Sequence, residues 1–365
     1  FSQYAKAALA LGYLLAMAIS HRPATLERDS WLEVPIFLLF ATRGAMMMVS
    51  ATELLTLYIS MELAAYPLYI AVALHRNSET GGESSTKYMV QGKIASAISL
   101  YGMSFLFGVF GSTYFADITP ALAAAASQPL FWLGLPLMLA GFFLKLAVFP
   151  FHFWAPDVYQ TAPHEVVTYI ATASKVGAIA RICRLVALTA DPVGISLVLM
   201  WMSVAAMKLG NLAALVQRDL KRLLGYSAIA HGGYVLVGLQ AGTALGYSSA
   251  LFYALGYLAM SFACFLVVCE GGRDDDLVSV DAVAGLHRRS PLLAATLLVG
   301  LFGLIGLPPT AGFIGKWLLF SAALEQGQPA RTCAAHTRKR QSHTRKHASS
   351  VTRAARDPRC TVRSD

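Results

Sequence analysis

Charge is scarce in this sequence: 13% of its 365 residues are Asp, Glu, Lys or Arg, while 56% are hydrophobic. With a mean hydropathy of +0.56, those fractions lie well outside the range of water-soluble domains and exclude a soluble enzyme. Cysteine is sparse too. The five cysteines, at positions 183, 264, 269, 333 and 360, form no C-x-x-C or other ligand spacing, which disfavours iron–sulfur and zinc roles. No Gly-rich phosphate loop stands between a strand and a helix, and no Ser/His/Asp or Cys/His arrangement stands out, so neither hydride transfer nor hydrolysis is assigned to this chain. The sequence also lacks an initiator Met and a charged leader followed by a cleavage site; it opens on Phe1 inside an apolar stretch and reads as a fragment missing its start.

What is abundant is apolar sequence in runs of about 20 residues, each long enough to cross a hydrocarbon core of ~30 Å as a helix. The runs fall at roughly 1–20, 31–50, 53–74, 88–114, 129–150, 163–188, 193–216, 223–240, 246–269, 291–307 and 311–324. The expected fold is an all-α polytopic membrane protein with about eleven transmembrane helices. Arg22, Arg28, Arg76, Arg218, Lys221, Arg222, Arg273, Arg288 and Arg289 fall in one set of alternate loops, whereas the other set holds Arg181 and Arg184 at a span end. Because basic residues near span ends stay on the cytoplasmic side, the first set is expected to face the cytoplasm, or the matrix in an organelle.

The net charge of +9 is concentrated in one segment. Residues 328–365 hold ten Lys and Arg against two Asp, a net of +8, which leaves +1 for the rest of the chain. A basic, His-rich tail could bind nucleic acid or anionic lipid. The abrupt change of composition just after an apolar span is instead read as a shifted reading frame or a misjoined gene, and no nucleic-acid partner is assigned.

Two spans are interrupted at comparable places, FLKLAVFPFHFWAPDVYQ around Pro150 and Pro156, and LIGLPPTAGFIGKW around Pro308, Pro309 and Gly312. Proline removes a backbone donor and clashes with the preceding turn, so both helices should break near or within the bilayer. Paired broken helices point to a transporter built from repeats.

Five ionisable groups are expected at bilayer depth: Glu62, Lys145, Lys175, His231 and Lys316. Each costs about 2.5 kcal/mol or more to insert, so such groups persist where they face a bundle interior and do work. A carboxylate that can approach or leave a buried lysine makes a proton-binding switch, and Glu62 with Lys145 is the natural pair. A static ion pair is the alternative, but apolar packing could replace that at little cost. For His231, donation to a carbonyl and a relay role stay equally open. Glu83 and Lys87, spaced i, i+4, read as a surface pair. Asp157 reads as a helix cap, and the aromatics around it as anchors or packing.

The stretches KLAVFPFHFWAPDVYQTAPHEVVTYIATASKVGAIARICRL, GNLAALVQRDLKRLLGYSAIAHGGYVLVGL and GLIGLPPTAGFIGKW resemble the antiporter-like subunit N (subunit 2 in mitochondria) of proton-pumping NADH:quinone oxidoreductase, respiratory complex I. The resemblance runs over most of residues 31–324. It implies two inverted repeats of five helices, each with one broken helix, at 31–188 and 189–325. Residues 1–30 would then be an N-terminal transmembrane helix and 326–365 a basic non-membrane tail. It implies a proton path through Glu62 in SMELAAYP, Lys87 in ESSTKY, Lys145, Lys175 of the ATASK motif, His231 of S-x-x-H, and Lys316 of GFIGK. Lys87 becomes a pathway residue by resemblance alone.

The resemblance further implies other membrane subunits of complex I as partners, beside the lipid bilayer. No cofactor is expected on this chain, with NADH, FMN, iron–sulfur clusters and quinone handled elsewhere in the complex. The location implied is a bacterial inner membrane, with the mitochondrial inner membrane as the alternative. The family's first two helices and its apolar C-terminal portion have no counterpart in this sequence. Multi-subunit cation/proton antiporters and membrane-bound hydrogenases use similar subunits, and the motifs alone separate these assemblies poorly.

Overall fold

A computed structural model of the chain describes residues 2–19, 32–74, 79–125, 127–187, 193–271 and 278–327. Arg22, Arg28, Arg76 and Arg273 of the orienting charges, Cys333 and Cys360, and the basic tail from 328 onward lie outside the described residues.

The described chain is helical, as a backbone without water to bond must be. Its helices are α1 (Ser2–Ile19), α2 (Glu33–Ser50), α3 (Leu54–Leu63), α4 (Tyr66–Ala73), α5 (Glu79–Phe110), α6 (Phe115–Ala125), α7 (Pro129–Leu146) and α8 (Trp154–Thr161). They continue with α9 (His164–Ala171), α10 (Ala173–Ala187), α11 (Val193–Ala214), α12 (Leu220–Gln240), α13 (Ala244–Gly271), α14 (Leu286–Arg289), α15 (Pro291–Ile305) and α16 (Ala311–Gly327). Two isolated antiparallel bridges, Glu53 with Tyr114 and Asp219 with Ser279, tie loops together. The short helix α6 falls between two of the predicted spans.

Seven helical stretches among the described residues are long and apolar enough to span a membrane on their own, and Pro291–Ile305 is a shorter apolar helix. The most apolar window of the stretch from His164 to Ala187 is wholly buried, so α9 and α10 lie in the interior and the other helices enclose them. That stretch is bent at Thr172, where φ is −109° and ψ is −83°. The Thr172 hydroxyl donates to Thr168 O at 2.6 Å, which satisfies a carbonyl at the bend. Lys175 follows within one turn.

Both predicted breaks are present, several residues ahead of the prolines. Helix α7 ends on Ala147, a non-glycine residue in the left-handed region (φ 57°, ψ 38°). There Ala147 N donates to Leu144 O and Val148 N to Phe143 O, the bond pattern of a Schellman cap. Helix α15 ends on Gly306 at φ 85°, ψ 46°, where glycine adopts that conformation without a Cβ penalty. Pro156 sits in the first turn of α8, where its missing N–H costs little.

With lipid tails as apolar as leucine, close packing is a main source of helix association, and small residues permit it. Gly102 of α5 meets the α7 backbone so closely that a Cβ there would overlap Met138 N and stand 2.7 Å from Gly134 O. Gly108, two turns on, has only Leu130 Cδ2 nearby, at 3.9 Å. Gly102→Leu is therefore expected to lower the thermal unfolding midpoint in detergent, by overpacking worth about 1–3 kcal/mol or more. Gly108→Ala is expected to leave it unchanged or higher; equal midpoints for the two variants would contradict this packing.

Candidate functional site within the bundle

The five ionisable residues expected at bilayer depth fall into two groups. The first lies between α3, α5 and α7. Glu62 stands in the last turn of α3, just before the irregular Ala64–Ala65 turn that separates α3 from α4. Its carboxylate is paired with Lys93 of α5 through one oxygen and accepts a hydrogen bond from Ser96 through the other. The expected partner, Lys145, is buried in the final turn of α7. It lines the same narrow cleft as Glu62, Ser96, Tyr69 and Tyr88.

Lys93 was missed in the sequence, although the signal was available: it is the sole Asp, Glu, Lys, Arg or His between Tyr88 and Tyr114, and the criterion that selected Lys145 selects it equally. Its ammonium sits 3.2 Å from the centroid of the Tyr66 ring, a cation–π position.

The second group is built on α10, α12, α13 and α16. Lys175 is buried and donates to Ala228 O of α12 at 3.0 Å. Its Nζ also lies 5.6 Å from the Tyr257 ring centroid. His231 of α12 has its ring centroid 5.0 Å from that of Tyr257. Its Nδ1 shares a hydrogen bond of 2.5 Å with the Tyr253 hydroxyl, a side-chain partner where a carbonyl had been one expectation. Tyr234 follows, 5.7 Å from His231 between centroids, and Lys316 Nζ is 4.7 Å from the Tyr234 centroid. Lys175, Tyr257, His231, Tyr234 and Lys316 thus form an unbroken succession of contacts.

The second break fixes the far end of that succession. Lys316 Nζ donates to Leu304 O at 2.8 Å and to Ile305 O at 2.9 Å. These are carbonyls at the end of α15, the negative pole of its dipole, where an ammonium is well placed. At the first break the Trp154 indole has a similar task, donating to Leu144 O at 3.1 Å. The two groups meet through backbone: a Cβ on Gly232, the neighbour of His231, would stand 3.0 Å from Leu146 O, the residue after Lys145.

Lys87 stands apart from both groups. Its side chain is 44% exposed and is paired with Glu83 at 2.7 Å and Asp157 at 3.0 Å. The i, i+4 pair is therefore present, and so is a partner from the first break. Asp157 also binds Arg222 at 3.1 Å. The capping role expected of Asp157 is not found, since no side chain caps α8; the carboxylate bridges α5 to α12 instead, because two cations lie within its reach. Arg181, expected at an accessible span end, is buried; it donates to Ala51 O at 2.9 Å and its guanidinium carbon lies 4.6 Å from the Phe115 centroid. Lys221, read as a loop charge, is buried in the first turn of α12, and Glu165 in that of α9. Among the described residues no group of three His, Cys, Asp or Glu side chains is arranged to hold a metal ion.

Comparison with known proteins gives a consistent set of likenesses. The membrane-domain family described as NADH:quinone oxidoreductase/Mrp antiporter, TM, matches residues 51–338. NADH-quinone oxidoreductase subunit N 2 of Syntrophobacter fumaroxidans is 46% identical over 329 residues, covering 90% of this chain and 70% of that protein. Among solved structures, a chain of respiratory complex I from Thermus thermophilus superposes with a TM-score of 0.77 at 35% identity, covering 89% of this chain and 70% of that one. A chain of an archaeal membrane-bound sulfane sulfur reductase gives 0.81 at 25% identity, over 88% of this chain and 66% of its own.

Lys316→Met keeps the length of the side chain and removes its donors. Leaving the Leu304 and Ile305 carbonyls unbonded is expected to cost about 1–3 kcal/mol, seen as a lower unfolding midpoint in detergent, with recovery in Lys316→Arg. An unchanged midpoint in the Met variant would show that this capping contributes nothing.

Proposed function

This chain belongs to the NADH:quinone oxidoreductase/Mrp antiporter family, and from that premise we propose that protons travel its interior by way of Glu62, Lys145, Lys175, His231 and Lys316, with Lys87 at the exposed mouth. It is a proton-translocating membrane subunit of NADH:quinone oxidoreductase, of the subunit N type. The observation that carries the route is the contact succession from Lys175 through Tyr257, His231 and Tyr234 to Lys316. Its members can each hold or pass a proton, or line the way for one that does; Lys175, Tyr257 and His231 are buried, and Tyr234 and Lys316 partly so.

Two likenesses favour the oxidoreductase over another respiratory assembly. Identity is 46% to a subunit N and 35% to a complex I chain, against 25% to the sulfane sulfur reductase chain. The chain offers no redox group of its own on this reading. Electron transfer from NADH through FMN and iron–sulfur clusters to quinone belongs to other subunits, which drive this one through the membrane subunits beside it. Moving each proton against 100 mV costs about 2.3 kcal/mol, so the coupling must reset the buried amines between two states of access.

The architecture we propose has eleven spans, the seven self-sufficient stretches together with α1, α12, α15 and α16. Helix α12 falls short in hydropathy because its buried face carries Lys221, His231 and a run of small residues, as suits a helix enclosed by others. Two inverted five-helix repeats, over 31–188 and 189–325, are supported by the parallel construction of the breaks: a left-handed residue at the helix end, a proline-containing bend, and a second helix. Helix α1 forms the further span. The setting we propose is a bacterial inner membrane, a reading supported by the bacterial origin of the relatives.

In the assembled oxidoreductase, reconstituted in liposomes, Lys145→Ala is expected to abolish or strongly reduce proton pumping while NADH oxidation remains measurable. Undiminished pumping at normal oxidoreductase activity would sink the proposed route.

A further inference from the structure

The Glu62 carboxylate stands between two lysines of unequal accessibility. On one side is Lys93, whose side chain is 34% exposed. On the other is Lys145, buried and lining the same cleft. Glu62 itself is 14% exposed. The carboxylate is bound entirely from α5, by Lys93 and by Ser96 one turn further on, and Lys93 is steadied by the Tyr66 ring beneath it. A simple counter-ion on the bundle surface would need none of this. A carboxylate bound to one lysine and lining a cleft with a second, standing where a helix gives way to an irregular turn, has two cations to choose between.

We propose that Lys93 is a positioning residue of the proton path, which holds the Glu62 carboxylate away from Lys145 in one state and releases it to Lys145 in the other. The inference rests on the proton route proposed above. When Glu62 lies with Lys145, the charge of a protonated Lys145 is balanced, and the amine takes one proton from the preceding donor. When Glu62 returns to Lys93, that balance is withdrawn and Lys145 passes the proton on toward Lys175. Glu62 ends each cycle as an anion and Lys93 stays cationic, so each cycle moves one proton and leaves the cluster as it began. Lys93 never carries the transferred proton. Its task is to compete with Lys145 for one carboxylate.

The test uses the assembled oxidoreductase containing this chain, reconstituted in liposomes, with protons pumped per electron as the first readout. Lys93→Met is expected to lower that ratio while electron transfer continues, and Lys93→Arg, which keeps the charge, to restore it. The second readout is the infrared difference spectrum between resting and turning-over enzyme, with glutamate carboxyls isotopically labelled. The carboxylate signal of Glu62, identified by its loss in Glu62→Gln, is expected to shift in the wild type and to be static in Lys93→Met. Should Lys93→Met not assemble, Lys93→Gln provides a neutral polar partner for the same measurements. A wild-type pumping ratio and a wild-type infrared signal in the neutral variant would overturn the proposal. Loss of pumping in Lys145→Ala alongside normal pumping in Lys93→Met would overturn it while leaving the route intact, whereas normal pumping in Lys145→Ala would remove the route itself.

Discussion

An ammonium group at bilayer depth must find oxygen or aromatic partners inside the protein, and the architecture around the site is an answer to that constraint. Lys175 has Ala228 O and the Tyr257 ring. Lys316 has two carbonyls at the end of α15 and the Tyr234 ring. Lys93 has the Glu62 carboxylate and the Tyr66 ring. Most of these partners are backbone carbonyls and tyrosines, which accommodate an ammonium without fixing it as a full salt bridge would. On the proposed route, a group that gains and loses a proton needs that intermediate degree of support: a permanent counter-ion would hold the proton, and a wholly apolar wall would keep it out.

The helix breaks follow from the same need. An uninterrupted helix bonds nearly all its own carbonyls and has none to offer at mid-depth. Ending α15 at Gly306 releases the carbonyls that Lys316 uses, and ending α7 at Ala147 places Lys145 in a terminal turn whose Leu144 carbonyl is taken by Trp154. Broken helices are tolerated in lipid only where other protein encloses them. The dense burial of α9, α10 and α12 supplies that enclosure, and small residues such as Gly232 let backbones approach closely enough to join the two groups of charges.

The sequence disclosed the helical membrane class, both breaks and the buried depth of Lys145, Lys175 and His231, because long apolar runs, prolines and isolated charges are local signals. It did not disclose who pairs with whom. Glu62 and Lys145 were matched as the available opposite charges, while Lys93, read as an unremarked member of a long apolar run, holds the carboxylate. Asp157 had the position of a cap, yet Lys87 and Arg222, distant in sequence, claim it. Lys221 was assigned to a loop and Arg181 to a span end by spacing, and burial of both comes from neighbouring helices that no single run reveals. Pairing is a tertiary property, decided by which helices lie side by side.

The central claim is that buried lysines of this chain change protonation as the oxidoreductase turns over. Nitrogen-15 NMR of the reconstituted complex, with lysine side chains labelled and the signals of Lys145, Lys175 and Lys316 identified by single substitution, tests it most directly. The account predicts that at least one of the three alternates between ammonium and amine when NADH and quinone are supplied. Three ammonium or amine signals that stay the same in resting and pumping enzyme would contradict it.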